Sequence, residues 1–314
     1  MQLIRGLHNL KQRQSLFAQG SVVTIGNFDG VHLGHQQVLK KVHEEAKKRG
    51  VPSVVMVFEP LPIEFFAPQK APVRLMNLRE KLQAFAHNEI EIDYVLCVRF
   101  NAEFAELTAA KFVEQLLVSA LQIKHLVIGD DFCFGKGREG NFEFLQQMGA
   151  KFDFIVTDMP TLQAQGKRIS STRVRQVLEQ PSLADAQRLL GKEFSFNGRV
   201  IHGQKLGRTI GFPTLNINPK RSQMPVSGVF AVTVSGIADK PWPAVANLGI
   251  RPTVDGLRPS IEVHLFNWSQ DLYGQHIDVT LKKFIRPEMK FNGLDELTKQ
   301  IQQDAKQAKE FFKI

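Results

Sequence analysis

The sequence predicts two domains of different class. A doubly wound α/β domain with a parallel sheet is expected in residues 1–185. An all-β domain, a small barrel or sandwich with a terminal helix, is expected in residues 186–314. Three observations predict this. The chain has 314 residues, about twice a usual domain length of ~150. Up to Gln180-Pro181, short apolar runs alternate with helical patterns, the mark of βαβ units. Beyond it, β-type runs follow one another with Gly and Pro between them and no long helix until the C-terminal end.

The elements follow in order. SVVTIG (Ser21 to Gly26) reads as a buried strand. HQQVLKKVHEEAKKRG follows as an amphipathic helix with Val38, Leu39, Val42 and Ala46 on one face and Gly50 as its stop. PSVVMVF, IDYVLCVRF, HLVIG and FDFIV read as further strands. LREKLQAFAHN, TAAKFVEQLLVSAL and FEFLQQMGA read as the helices between them. Right-handed crossovers make an open, doubly wound sheet the economical arrangement. Ligands in such sheets bind beyond the carboxyl ends of the strands, so the loop after Gly26 is the first place to search. The short helical stretch SLADAQRLLG precedes the β-rich part. That part runs FSFNGRVI, PTLNI, GVFAVTVS, PAVANLGI, SIEVHLF and HIDVTLKKFI. A closing helix is expected from about Leu294 to Phe312, with Leu294, Leu297, Ile301, Ala305, Ala308 and Phe312 on one face.

Composition excludes more than it assigns. Two cysteines, Cys97 and Cys133, rule out a disulfide scaffold and a cysteine-rich zinc module. No apolar run approaches the ~20 residues that span a bilayer, and MQLIRGLHNLKQRQ lacks the apolar core of a signal peptide. The expectation is a cytoplasmic protein with no membrane partner. The net charge of +9 suits an anionic partner without choosing among nucleotide, nucleic acid and membrane surface.

The loop after the first strand is GNFDGVHLGH, Gly26 to His35. Its glycines allow a tight turn with exposed amides, and the helix start adds a partial positive charge. His32 and His35 are three apart, so both rings reach one spot. Imidazoles there suit charge stabilisation on a phosphoryl group. The same pair reads alone as one capping and one exposed histidine. RISSTRVRQVLEQ places Ser170, Ser171 and Thr172 at a helix start with Arg173 and Arg175 nearby, a second anion cradle or an ordinary N-cap. IGDDFCFGKGREGNF invites a P-loop reading, but its glycine spacing fails and no Ser or Thr follows Lys136. A mobile aromatic loop over a substrate and a partly buried, inert Cys133 are expected instead.

GNFDGVHLGH, FEPLP (Phe58 to Pro62), GDDFCFG with REG, and ISSTRVR together resemble the N-terminal module of the bacterial bifunctional riboflavin kinase/FAD synthetase family, a nucleotidyltransferase of the HxGH class. The resemblance implies that His32 and His35 bind ATP phosphates and stabilise the transition state. Gly26, Asn27, Phe28, Asp29 and Gly30 would line the phosphates, with Asn27 and Asp29 near them or their Mg²⁺. Ser171, Thr172 and Arg175 would form the second phosphate clamp. Phe58, Asp131 and Phe132 would lie near the flavin.

The β-rich part carries its own constellation. Gly203 and Gly207 flank Gln204, Lys205 and Leu206 in a loop that can cover a ligand. Thr214 and Asn216 alternate with Leu215 and share a face. A hydroxyl beside an amide oxygen suits Mg²⁺. In SIEVHLF, Ser260, Glu262 and His264 share one face and Ile261, Val263 and Leu265 the other. Glu262 would serve as a base toward an alcohol attacking ATP, or as one member of a normal polar strand face.

HGxxxGRxxGFPTxN, GVF, NLGIRPT, EVHLF, DLYG and IRPEMKF recur in order in the riboflavin kinase modules of that family. This resemblance implies a six-stranded Greek-key barrel with a terminal helix. Thr214 and Asn216 would hold Mg²⁺ and ATP phosphate, and Glu262 would activate the riboflavin 5′-hydroxyl. Gly203, Lys205, Gly207 and Arg208 would lie in a flap over the nucleotide, with Arg286 near the flavin. Phe230 stands where Tyr is common, and Leu215 where Ala is common. The implied activity is conversion of riboflavin to FMN and of FMN to FAD with ATP as donor, by a monomer or weak homo-oligomer without a nucleic-acid partner. One rival is an RNA-binding barrel, favoured by the basic charge. It is disfavoured because aromatics do not interleave on adjacent strands. Another is one working domain with a flavin-sensing one.

Overall fold

The computed structural model describes residues 1–86, 90–203, 211–253 and 256–314. They form two compact units. One comprises Met1–Pro72 and Lys81–Ile169, the other Val73–Glu80 and Ser170–Ile314.

The first unit is built on a sheet of β1 (Gln2–Arg5), β2 (Ser21–Ile25), β3 (Ser53–Glu59), β4 (Tyr94–Arg99), β5 (Ile123–Gly129) and β6 (Ile155–Met159). Their order is β1-β4-β3-β2-β5-β6 and every pairing is parallel. The expected doubly wound sheet is therefore present. Each residue of β2 is buried, as a strand covered on both faces requires. Adjacent positions serve opposite layers. Val22 and Val127 pack with Val42 and Ala46 of the Leu33–Arg49 helix. Val23, Ile25, Leu126 and Ile128 pack with Phe112, Leu116 and Leu145 on the other face. From β2 the chain adds β3 and β4 on one side, then returns to place β5 on the other. That reversal opens a crevice at the carboxyl ends of β2 and β5.

The Leu33–Arg49 helix stops at Gly50, which is left-handed at φ 65° and donates to the Ala46 and Lys47 carbonyls. The TAAKFVEQLLVSAL pattern forms a short helix and then a π-helical stretch, Phe112–Ala120. Periodicity had suggested one ordinary helix. β1 and the small hairpin of β7 (Gln163–Ala164) and β8 (Lys167–Arg168) are too short to show a pattern.

The second unit is a closed barrel of β9 (Ser195–Ile201), β10 (Leu215–Ile217), β11 (Gly228–Ser235), β12 (Trp242–Thr253), β13 (Gly256–Leu265) and β14 (His276–Arg286). It closes in the order β10-β13-β12-β11-β14-β9 with all pairs antiparallel. β11, β12 and β13 form a meander and β14 returns beside β11, a Greek key. Alternate residues fill the interior: Phe196 and Val200, Phe230 and Val232, Ala246 and Leu248, Ile261 and Val263, Ile277 and Val279. On the outside, Val229, Ala231, Val245 and Phe266 pack under Ala305 and Ala308 of the Leu294–Phe312 helix. Leu294 opens that helix at 66% exposure, so the covering face is narrower than the apolar positions suggested. Both tryptophans belong to this unit, Trp242 and Trp268, edge-on with ring centres 5.0 Å apart.

The compact units part at Ile169/Ser170, ahead of both the change in sequence rhythm at Gln180-Pro181 and the boundary expected near residue 185. The Ser171–Glu179 and Leu183–Leu190 helices pack on each other and the second packs on β14. Segment 73–80 joins them in the second unit.

Candidate active sites

The first site begins where β2 ends. Phe28, Gly30 and Val31 have φ of 47°, 87° and 44°. Phe and a β-branched Val are strained there. Burial holds them: Phe28 is 3% exposed and Val31 1%, and Phe28 meets Phe85 edge-on at 5.7 Å. The twist delivers His32 as N-cap of the Leu33–Arg49 helix, its Nδ1 accepting from the His35 amide at 3.3 Å. An accepting Nδ1 leaves the neutral ring with its proton on Nε2. The two imidazoles stack at 3.6 Å with 15° between planes. A Cβ on Gly34 would lie 3.3 Å from the His32 ring, so glycine makes room for the stack. Asp29 is buried and Asn27 exposed. Among the described residues, the buried Nδ1 of His35 has no hydrogen-bond partner. Burial foremost, then the charges of His32 and Lys81, hold His35 well below the ordinary histidine range. A stacked histidine pair at a helix start, with one buried ring nitrogen unpartnered, is suited to meet an anion.

The second edge of the crevice is the loop after β5. It is pinned. Lys136 N donates to Leu107 O at 2.8 Å, and Glu139 accepts from Ala109 N at 2.8 Å. A Cβ on Gly135 would lie 2.7 Å from Ala109 N. Close packing explains Gly135, and a left-handed φ of 65° explains Gly137. Asp131 pairs with Arg168 at 2.8 Å, and Phe132 stacks on Phe134 at 5.5 Å. Cys133 is exposed, which corrects the expectation of partial burial; Phe132 and Phe134 take the inward positions of the loop. Phe58, at the end of β3, meets Phe100 and Phe104 at 5.8 and 5.7 Å. Phe65 and Phe66 each extend that cluster through Phe100 at 5.6 Å, and Phe66 is 65% exposed. Sequence reasoning missed both. An aromatic pair just past FEPLP was the available signal.

Ser171, Thr172 and Arg175 fall in the second compact unit. Ser170 caps their helix by accepting from Arg173 N at 3.2 Å, as its residue type predicts. Arg175 Nε donates to Val73 O at 2.6 Å.

The barrel site lies on the outer face of β10, β13 and β12. Register sets Asn216 opposite Glu262 and Glu262 opposite Asn247, a carboxylate between two amides. Glu262 is half-buried, opposite the interior Ile261 and Val263. Asn216 is 7% exposed and its Oδ1 has no partner among the described residues. A Cβ on Gly203 would lie 2.2 Å from the Asn216 amide nitrogen, so only glycine lets the chain close over it. Thr214 directly precedes β10. His264 Nδ1 donates to Pro213 O at 2.9 Å and holds the turn before Thr214.

A buried amide oxygen without a partner, beside a hydroxyl and a carboxylate, fits a hard cation completed by phosphate and water. No cluster of three His, Cys, Asp or Glu suited to a metal occurs among the described residues. Lys205, Gly207 and Arg208 lie outside them. Arg286 donates to both oxygens of Asp304 at 2.8 and 2.7 Å and to Pro287 O, so it anchors the terminal helix. Two polar groups were missed, Asn247 and Glu288. A Cβ on Gly249 would lie 1.9 Å from a Glu288 carboxylate oxygen. Burial first, then the Glu262 charge, pushes the Glu288 carboxyl up, against the Arg286 charge. Both residues sit in segments, NLGIRPT and IRPEMKF, whose importance was legible while their register was not.

Among the described residues, one unit presents a histidine pair at a helix start and the other a strand carboxylate between two amides, groups of the kind that hold and orient phosphate. One chain with two such corners is a two-domain nucleotide-dependent transferase. It matches the family profile "FAD synthetase" over residues 14–173 and "Riboflavin kinase" over 190–312. It is 54% identical over 312 residues to the bifunctional riboflavin kinase/FMN adenylyltransferase of Escherichia coli K12, covering 99% of this chain and 98% of that one. The protein of that name from Haemophilus influenzae is 47% identical at 99% coverage of each. A crystal structure of a protein named a macrolide-efflux protein, from Streptococcus pneumoniae, matches with TM-score 0.78 and 31% identity, covering 97% of both chains. No helix among the described residues is long and apolar enough to cross a membrane. The chain belongs to the bifunctional riboflavin kinase/FMN adenylyltransferase family.

Proposed function

We propose that this chain makes FMN from riboflavin and ATP, releasing ADP, and then FAD from FMN and a second ATP, releasing pyrophosphate. The observation that carries this is full-length likeness, 99% of the chain at 54% identity, to a protein named for both activities. Residues 1–185 are assigned adenylyl transfer and residues 186–314 phosphoryl transfer. The protein is assigned to the cytoplasm, as a monomer or weak homo-oligomer that does not bind nucleic acid.

In the barrel, Glu262 accepts the proton of the riboflavin 5′-hydroxyl as that oxygen attacks the γ-phosphorus of ATP. Thr214 and Asn216 hold Mg²⁺, which neutralises phosphate charge when bound. Asn247, on the other flank of Glu262, fixes the direction of the carboxylate. In the parallel-sheet domain, an FMN phosphate oxygen attacks the α-phosphorus. His32 donates from Nε2 and His35 from its open ring nitrogen to the phosphoryl oxygens as charge grows. An arriving anion favours protonation of His35, so the low proton affinity set by burial is relieved when charge is needed. Ser171, Thr172 and Arg175 clamp phosphate at the other helix start. Phe58, Asp131 and Phe132 are assigned to the flavin. In the barrel, Arg286 is assigned to the flavin end of the kinase site.

The test is chromatography of products from riboflavin, ATP and Mg²⁺. FMN should appear first and FAD after it. FAD from supplied FMN without any riboflavin phosphorylation would remove the kinase assignment.

A further inference from the structure

Glu80 stands in the first turn of the Leu78–Ala86 helix, a place where a carboxylate usually meets solvent. Here it is 6% exposed. Its Oε1 accepts from Asn197 N of β9, 117 positions later, at 2.9 Å. Its Oε2 accepts from Asn77 N at 2.7 Å and from the guanidinium of Arg221, whose side chain is 1% exposed. Asn77 Oδ1 takes Glu80 N at 3.0 Å, completing a capping box. Asn77 Nδ2 reaches Pro219 O at 3.4 Å. Arg221 lies over the Phe196 ring at 4.7 Å. Burial pushes the Glu80 carboxyl up, while the Arg221 charge and the Asn197 and Asn77 amides oppose it.

These contacts converge on the root of one hairpin. β9 pairs with β10 through Val200↔Ile217 and Ile201↔Asn216. Asn197 lies at the entry of β9 and Arg221 just beyond the exit of β10. Gly198 permits the close approach, since a Cβ there would lie 2.1 Å from Ile217 Cγ2. The other end of the hairpin carries Gly203, Thr214 and Asn216. One carboxylate from outside the barrel's own stretch of sequence thus ties both legs of the hairpin that bears the proposed Mg²⁺ and phosphate ligands. A buried ion pair of this kind fixes geometry more than it stabilises.

We infer that Glu80 is a positioning residue for riboflavin phosphorylation, holding β9 to the chain after β10 so that Thr214 and Asn216 meet Glu262 in register. This rests on the assignment of phosphoryl transfer to the barrel.

The test uses the full chain with Glu80→Gln, Glu80→Ala and the double change Glu80→Ala with Arg221→Met. The amide of Glu80→Gln keeps an acceptor for Asn197 N but no charge for Arg221. The double change removes the stranded charge, and with it the main reason for misfolding. In each, the Mg²⁺ needed for half-maximal phosphorylation and the KM for ATP should rise about tenfold. The riboflavin KM and FMN adenylylation should stay at wild-type values. In the double variant the thermal midpoint should recover while the KM for ATP does not. Wild-type ATP and Mg²⁺ constants below the unfolding temperature, with only the midpoint lowered, would overturn the inference and leave Glu80 purely structural. A raised riboflavin KM with an unchanged ATP KM would overturn it as well. Failure of the underlying assignment reads differently: phosphorylation would then survive Glu262→Gln in an otherwise wild-type chain.

Discussion

The two proposed sites are built in opposite ways for similar chemistry. In the parallel-sheet unit one uninterrupted run, Gly26 to His35, supplies the turn, the cap and both imidazoles. In the barrel, Asn216, Glu262 and Asn247 come from three strands and meet only through pairing register. A local site tolerates change elsewhere because its geometry is set by one loop and one helix start. A register-built site depends on everything that holds its strands in phase. Damage should therefore separate cleanly between the two activities, and distant changes should harm the barrel site more.

The largest effect expected is that of Glu262→Gln. Loss of the base should lower riboflavin phosphorylation by about 10²–10⁴-fold and leave adenylylation of supplied FMN intact. Equal loss of both activities, read from FMN and FAD yields, would break the comparison. His32→Ala should do the converse, lowering FAD formation from FMN by about 10²–10³-fold with phosphorylation unchanged. Gly34→Ala is subtler. The added methyl meets the His32 ring at 3.3 Å and should displace it by a few tenths of an ångström. Adenylylation should drop about tenfold, while the helix gains up to about 1 kcal/mol from alanine. A loss of activity with no loss in the thermal midpoint is the outcome to look for.

The smallest effect concerns pH. The folded His35 binds its proton well below the reference value of 6.5, so below that pH the unfolded chain takes up more protons. Stability present above pH 6.5 is lost as pH falls through it. Buried His125 is shifted in the same direction. His35→Gln should flatten part of this slope in the first unit, followed by circular dichroism, and leave the His125 share.

Local construction explains what could be read from the sequence. The Ser21–Ile25 strand, the Leu33–Arg49 helix and its cap were legible because apolar runs, Gly50 and the His32 spacing are all short-range signals. Glu262 was legible as one face of an alternating strand. Asn247 and Glu288 were not, because nothing local says which residue a barrel strand will face. Glu80 was hidden further: its first-turn position reads as solvent-facing, and its partner lies 141 positions away. The Phe112–Ala120 π-helix shares the apolar spacing of an ordinary helix and so could not be told from one. Arg286 is a different case: its place in IRPEMKF suggests a ligand contact, and the Asp304 pairing that takes up two of its donors comes from a helix that no local signal ties to it.

The pairing of Trp242 with Trp268 gives the molecule an optical asymmetry. Both indoles stand on the barrel unit, with their N–H groups donated to Phe266 O and Gln270 O, and the sequence holds just these two. Indole emission therefore watches one half of the chain and is blind to the unfolding of the other. Flavin absorbs where indole emits, so a flavin seated close to these indoles on the barrel would darken the signal by energy transfer, an optical readout of binding in unlabelled protein that needs no product to form.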